Sequence, residues 1–226
     1  MYNQGVLEVS LKGIIFDFDG VVVKSMEQHF EAWQKAFAEK NVTINPDEFF
    51  IMEGQGIHTI SRKLGQKYGL TEKDVMDIMN RKVNYYNQFM HIEFYDYFDV
   101  LLERINKKGW PVGVVTGGSR SRVEKIINQY FNHTFDCLVT VDDVQRGKPY
   151  ADPFLKGAEL LHLEPQECVV IENAPMGIEG AKAAQMTVIA ITTTLEPHHL
   201  SEADFIAHDF KEVEKILYQL FGGSDK

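Results

Sequence analysis

Two aspartates separated by a single residue, Asp17 and Asp19, stand directly after the apolar run Gly13-Ile14-Ile15-Phe16. On an extended backbone residues i and i+2 share one face, so the two carboxylates are expected to open into one site. Like charges that close repel unless a cation sits between them or one keeps a proton. The implied chemistry is metal binding, acid catalysis or both. An apolar run of four reads as a buried strand, and Gly20 permits a sharp turn just past it. In open α/β sheets ligands bind at that carboxyl edge.

Three further stations end apolar runs in residues suited to phosphate chemistry. Thr116-Gly117-Gly118 follows Pro111–Val115 and combines a hydroxyl with glycine-freed main-chain N–H groups. Lys148, in Gly147-Lys148-Pro149, is a lone ammonium between a turn and a rigid residue. Glu172-Asn173 closes the run Cys168–Ile171. Singly, Thr116 could cap a helix, Lys148 be a surface charge and Glu172 a capping carboxylate. Their placement after successive apolar runs favours one shared site.

The elements that must position these residues follow from periodicity. After Val23 the spacing of Phe30, Trp33, Phe37 and Ala38 is helical, with Ser25 as a candidate cap. From Asp47 to Phe94 the chain reads as helical throughout, broken at Gly54-Gln55-Gly56, at Gly69 and by a capping signature at Thr71–Asp74. From Val112 onward strands alternate with helices. The expected strands are 111–116, 137–141, 168–171, 187–191 and an edge strand at 205–206, and the expected helices are 121–130, 153–161, 177–185 and 212–221. Repeated β-α units imply a parallel sheet between helical layers. The expected organisation is an α/β core of residues 1–24 and 95–226 carrying an inserted helical domain of residues 25–94.

The formal charge of −10 argues against non-specific binding to nucleic acid or anionic membrane. No apolar stretch approaches the roughly 20 residues of a membrane span. Met1–Leu11 lacks the basic and apolar regions of a secretory signal, which points to the cytoplasm. The two cysteines, Cys137 and Cys168, lie inside strand-like runs and read as buried small hydrophobes in a reducing compartment. The tail after Phe221 reads as disordered.

Asp17-Phe18-Asp19-Gly20-Val21-Val22 resembles the first motif of the haloacid dehalogenase superfamily, and the stations at Thr116, Lys148 and Glu172-Asn173 resemble its second, third and fourth. The helical insertion after the first motif is where the β-phosphoglucomutase-like phosphatases of that superfamily carry a cap. The resemblance implies a nucleophile at Asp17, a general acid and base at Asp19, phosphoryl binding by Thr116, Gly117 and Gly118 beside Gly20, and charge neutralisation by Lys148. It implies Mg²⁺ on Asp17, the Asp19 carbonyl, Glu172 and Asn173. Asn173 departs from the family pattern, which has a second acid there.

Glu53, beside a loop resembling the substrate-specificity loop, is a candidate to compensate for that lost charge. Gln55 of the same loop, His29 and Lys82 are candidates for substrate contact. Ile57-His58 stands where mutases have an arginine for a second phosphate, which argues against a mutase. The expected activity is Mg²⁺-dependent hydrolysis of a small phosphorylated metabolite by a monomer. Sugar phosphates and phosphoglycolate are candidate substrates, and Glu53 would suit pyrophosphate. The alternatives are a β-phosphoglucomutase and a non-catalytic phosphate sensor.

Overall fold

The structure is a computed structural model that describes residues 10–52, 54–131 and 134–222. Among the described residues six strands form one parallel sheet: β1 (Gly13–Phe16), β2 (Val112–Val115), β3 (Cys137–Val139), β4 (Cys168–Glu172), β5 (Thr187–Ile191) and β6 (Phe205–Ala207). Their order is β3-β2-β1-β4-β5-β6. The chain leaves β1 toward one side of the sheet and later returns on the other through β4. The crevice at such a reversal lies beside the carboxyl end of the central strand.

Both faces of the sheet are covered, which is why its strands are continuously apolar rather than alternating. Ile14, Phe16, Val114, Val169 and Ile171 point into one core. Against them pack α5 (Phe98–Lys108), α6 (Arg120–Tyr130) and α9 (Phe210–Leu220). Ile15, Val115, Val170 and Val188 point the other way, against α7 (Asp152–Leu160) and α8 (Pro175–Ala183). The helix α5 answers to no element expected above, although Phe98, Leu101, Leu102 and Ile105 carry its buried stripe at helical spacing and Gly109 closes it at φ 70°.

Between β1 and α5 lie α1 (Met26–Ala38), α2 (Pro46–Ile51), α3 (Ile57–Lys67) and α4 (Glu72–Phe89). They close on a core of their own, with Trp33, Phe37, Phe49, Leu64 and Ile78 at its centre. Thr71 and Asp74 form the reciprocal capping pair that their spacing suggested. The helical reading up to Phe94 runs too far, because α4 stops at Phe89 and the chain returns irregularly to the sheet. Backbone contacts near residues 23 and 94 join this block to the sheet side. Val23 bridges Phe94, and Lys24 N–H donates to the Glu93 carbonyl at 2.8 Å.

Neither cysteine is bridged. Cys168 is buried as expected and Cys137 only half-buried, and desolvation pushes both thiols up to about 12. Among the described residues no helix is long and apolar enough to cross a membrane. Glu53 and the tail after Gly222 lie outside the described residues.

Candidate active site

Asp17 stands one residue past β1, where its N–H donates to the Ile171 carbonyl of β4 at 3.0 Å. The chain then folds into a tight loop in which the Phe18 carbonyl accepts from the N–H groups of Val22 and Val23, both at 2.9 Å. Gly20 turns this loop at φ 87°, a conformation that side chains disfavour. A Cβ there would also stand 2.2 Å from Asn173 Nδ2, so the first and fourth loops touch at this glycine.

Three buried charges form the floor. Lys148 Nζ donates to Asp17 Oδ1 and to Glu172 Oε1, both at 2.5 Å, and the three side chains are at most 4% exposed. The second Glu172 oxygen accepts from the N–H groups of Asn173 and Ala174, at 2.9 and 3.0 Å. Burial pushes the Asp17 carboxyl up to about 7 against the pull of Lys148, and Glu172 adds to the rise. Burial alone would lower the Lys148 ammonium, but its two carboxylates outweigh that and hold it raised.

Two carboxylates facing one ammonium leave an excess negative charge that a cation would relieve. Asp17, the Asp19 main-chain oxygen and Asn173 offer oxygen donors, the ligand type Mg²⁺ prefers. Among the described residues no group of three acidic, histidine or cysteine side chains forms a metal cage. A sparse oxygen set fits an ion that keeps several waters and takes substrate oxygens. Glu172 enters this arrangement through Lys148 and the main chain of its own loop. The Asn173 amide Nδ2 donates to Thr194 Oγ1 at 2.9 Å.

The second station lies opposite. Thr116 is 3% exposed, and its Oγ1 accepts the Gly118 N–H at 3.0 Å. Over it lies the loop Gly54-Gln55-Gly56, so close that a Cβ on Gly117 would stand 2.5 Å from the Gly54 carbonyl oxygen. Gly117→Ala is therefore expected to wedge the two loops apart. With thermal stability little changed, kcat/KM should fall by about ten- to a hundredfold, since small displacements of positioning groups are that costly. Steady-state kinetics beside a melting curve would check this, and an unaltered kcat/KM would mean that the loops need not meet.

Asp19 is surrounded by donors. Ser25 Oγ donates to its Oδ1 at 2.6 Å, His29 Nε2 lies 3.2 Å from the same oxygen, and Arg122 grips both oxygens, with Nη1 at 2.9 Å from Oδ1 and Nη2 on Oδ2. Burial would raise this carboxyl, but Arg122 and then His29 outweigh it and hold it well below the usual range. Behind His29, Lys82 Nζ lies 2.9 Å from Nδ1. Burial and the Lys82 charge push the imidazole down to about 3, so it is neutral. With Nδ1 accepting from the lysine, Nε2 carries the proton and donates to Asp19. Tyr86 stacks on the ring at 4.1 Å between centroids.

The structure thus brings Asp17, Asp19, Gly20, His29, Lys82, Thr116, Gly117, Gly118, Lys148, Glu172 and Asn173 to one place, with Gln55 facing it. Glu53 falls on an undescribed position. Ser25 is corrected: it makes no side-chain cap on α1, because its hydroxyl is taken by Asp19. Arg122 was not among the expected residues, and nothing in its sequence neighbourhood distinguishes it from Arg120. Arg81, beside Lys82, faces away and pairs with Asp77 and Glu39.

The cleft between the helical block and the sheet edge has a volume of about 510 Å³. One wall is apolar, with Met26, Trp33, Phe49 and Ile60, while Gln55, Asn87, Ser121 and Gln129 supply polar groups.

A family model described as haloacid dehalogenase-like hydrolase matches residues 14–191. Hexitol phosphatase A of Escherichia coli strain K12 is 33% identical over 216 residues, covering 89% of this chain and 93% of that protein. Pyrophosphatase PpaX of Bacillus cereus strain Q1 is 26% identical over 226 residues, covering 92% and 97%. Among solved structures, a Bacteroides vulgatus protein proposed to be a beta-phosphoglucomutase superposes with a TM-score of 0.86 at 28% identity, covering 95% of this chain and 90% of that one. The match spans all four acidic, hydroxyl and lysine stations, and on that ground the chain belongs to the haloacid dehalogenase-like hydrolase family and is a phosphatase-type hydrolase.

Proposed function

We propose that this protein hydrolyses the phosphate monoester of a sugar or polyol of about hexose size. The observation that carries this reading is Gln55 Oε1. Gln55 lines the cleft, and this oxygen is buried with no hydrogen-bond partner among the described residues. A buried acceptor without a donor costs roughly 1–3 kcal/mol, which a substrate hydroxyl would relieve. Metal-bound pyrophosphate offers acceptors only. A cleft of about 510 Å³ with an apolar wall also exceeds what pyrophosphate needs. The similarity to hexitol phosphatase A supports the same class. The preference for pyrophosphate expected above rested on Glu53, whereas the described part of its loop favours a hydroxylated substrate.

In this reading Asp17 attacks phosphorus in line and forms an aspartyl-phosphate as the ester P–O bond breaks. Asp19, which takes up a proton from solvent as the substrate enters, gives it to the departing alkoxide oxygen, then takes one from the water that attacks the aspartyl-phosphate. The second displacement releases phosphate and restores the Asp17 carboxylate. The Thr116 hydroxyl and the Gly117 N–H hold the phosphoryl oxygens, with the Gly118 N–H orienting the hydroxyl, and Lys148 offsets the charge of nucleophile and phosphate. His29 and Lys82 orient Asp19 through the hydrogen bonds described above. Bound Mg²⁺, on Asp17, the Asp19 carbonyl and the Glu172-Asn173 loop, would polarise the phosphoryl group. The helical block serves as a cap that shields these steps from bulk water.

The test is phosphate release with Mg²⁺ from hexitol and hexose monophosphates, pyrophosphate, phosphoglycolate and phenyl phosphate. β-Glucose 1-phosphate with a bisphosphate primer runs beside them. Preference for a hexitol or hexose phosphate is expected. A preference for pyrophosphate, or isomerisation without release, would overturn the reading. Gln55→Leu is expected to narrow the preference for hexitol phosphate over phenyl phosphate by about two- to tenfold, the worth of one neutral hydrogen bond.

A further inference from the structure

Arg122 has no part in the mechanism above, yet its guanidinium lies between the general acid and the phosphate loop. Its side chain is 16% exposed, and it holds both oxygens of Asp19. A Cβ on Gly118 would stand 2.5 Å from Arg122 Nη2, so the guanidinium also lies against the main chain that follows Thr116. The rings of Phe18 and Tyr86 lie 5.9 and 5.7 Å from its central carbon. Aromatic contacts of this kind steady a guanidinium whichever anion it faces.

Three cationic side chains line the cleft among the described residues: Lys82, Arg122 and Lys125. Lys125 is exposed, and Lys82 is directed at His29. Arg122 alone of the three stands beside both Asp19 and Gly118. A planar fork of donors suits a phosphate as well as a carboxylate. An Asp19 carboxylate gripped in this way is turned to the arginine and not to an ester oxygen.

We propose that Arg122 is a further phosphoryl-binding residue of this site. An arriving phosphate takes the place of Asp19 on the guanidinium, and that exchange frees the Asp19 carboxyl to face the leaving oxygen. Arg122 thereby makes release of the acid depend on the phosphate being in place. Phosphate esters of any alcohol would engage it alike, so the inference rests on the phosphohydrolase reading and not on the choice of alcohol.

The experiment removes the influence of Arg122 on Asp19 before asking about phosphate. Inorganic phosphate is titrated calorimetrically, with Mg²⁺ present, into Asp19→Asn and into Asp19→Asn combined with Arg122→Met. With Asp19 neutral, any further effect of Arg122 on phosphate binding is direct. The combined variant leaves no lone buried charge from this pair. Should it fail a melting test, Asp19→Asn with Arg122→Gln replaces it. Loss of Arg122 is expected to weaken phosphate binding by about ten- to a hundredfold, the worth of charge-assisted hydrogen bonds. Arg122→Lys, which keeps a point charge without the fork, should fall between. A change of about twofold or less would overturn the proposal, leaving Arg122 as a positioning residue for Asp19. Absence of phosphate binding already in Asp19→Asn would overturn it too, while hydrolysis by the unaltered enzyme judges the activity separately.

Discussion

Asp17→Asn is expected to lower phosphate release by about 10⁴-fold or more while the protein remains folded, as is typical when a covalent nucleophile is removed. The amide keeps the volume of the side chain but is a far weaker nucleophile toward phosphorus. It also removes one negative charge from a buried group of two carboxylates and one ammonium, leaving Lys148 and Glu172 as a balanced pair. Burial already pushes the Asp17 carboxyl up to about 7, a sign that the ionised form is costly in this setting. The metal-free melting temperature of the variant should therefore equal or exceed that of the parent. Initial rates with Mg²⁺ and a thermal melt check both halves. A residual rate within about a hundredfold of the parent would assign the attack to another group.

Lys148→Met is expected to lose both activity and stability. For activity, the ammonium is, among the described residues, the one positive side chain paired with Asp17, the nucleophile of the proposed mechanism, and its loss should lower kcat by about 10²–10³-fold, as for other preorganised electrostatic groups. For stability, Asp17 and Glu172 would remain buried beside each other without a counter-charge. Breaking a buried pair in this way costs about 3–5 kcal/mol. The deficit should depend on pH with a definite sign. Losing the lysine raises the folded-state pKa of Asp17 further above its ordinary 3.8. A raised carboxyl favours the folded form at low pH and penalises it as pH rises. Denaturant melts without metal should therefore find the variant closest to the parent near pH 4 and furthest from it above pH 7, a window set by the Asp17 value of about 7. A pH-independent deficit would mean that lost packing, not lost charge, is responsible.

Much of the site was legible because its chemistry is written locally. A strand that must be buried on both faces is continuously apolar, so Gly13–Phe16 and Cys168–Ile171 stood out, and the residue ending each run was necessarily at the sheet edge. Gly20, Gly117 and Gly118 marked turns in which only small residues fit. The α5 helix has a regular stripe but no side-chain cap at its start, where Tyr97 stands in the left-handed region, so nothing local separates it from the helical block before it. The helical block is legible from the absence of strand alternation, but its sequence pattern continues to Phe94 while α4 ends at Phe89. Helix ends depend on caps and packing, and Met90 leaves α4 without a strong stop signal of its own.

Ser25 shows where local reading fails. A serine just before a helix is an ordinary cap, and only the approach of the first loop gives its hydroxyl to Asp19 instead. Arg122 lies 103 residues from the aspartate it holds, on the first turn of α6. Its contact depends on how α6 rotates against the sheet and on where Tyr86 of the helical block sits. Neighbouring Arg120, with the same chemistry, turns to Asp143 and Glu124.

The α/β alternation, the position of the helical block and the four loops that carry acid, hydroxyl and lysine can be read from the chain directly, since each depends on patterns spanning a few residues. The tertiary structure alone decided that Lys148 lies between Asp17 and Glu172, that Lys82 and His29 align behind Asp19, and that Arg122 closes over it. Those contacts join residues far apart in the chain. Their geometry is set by how the sheet, its helices and the helical block pack together, which no short stretch of sequence encodes.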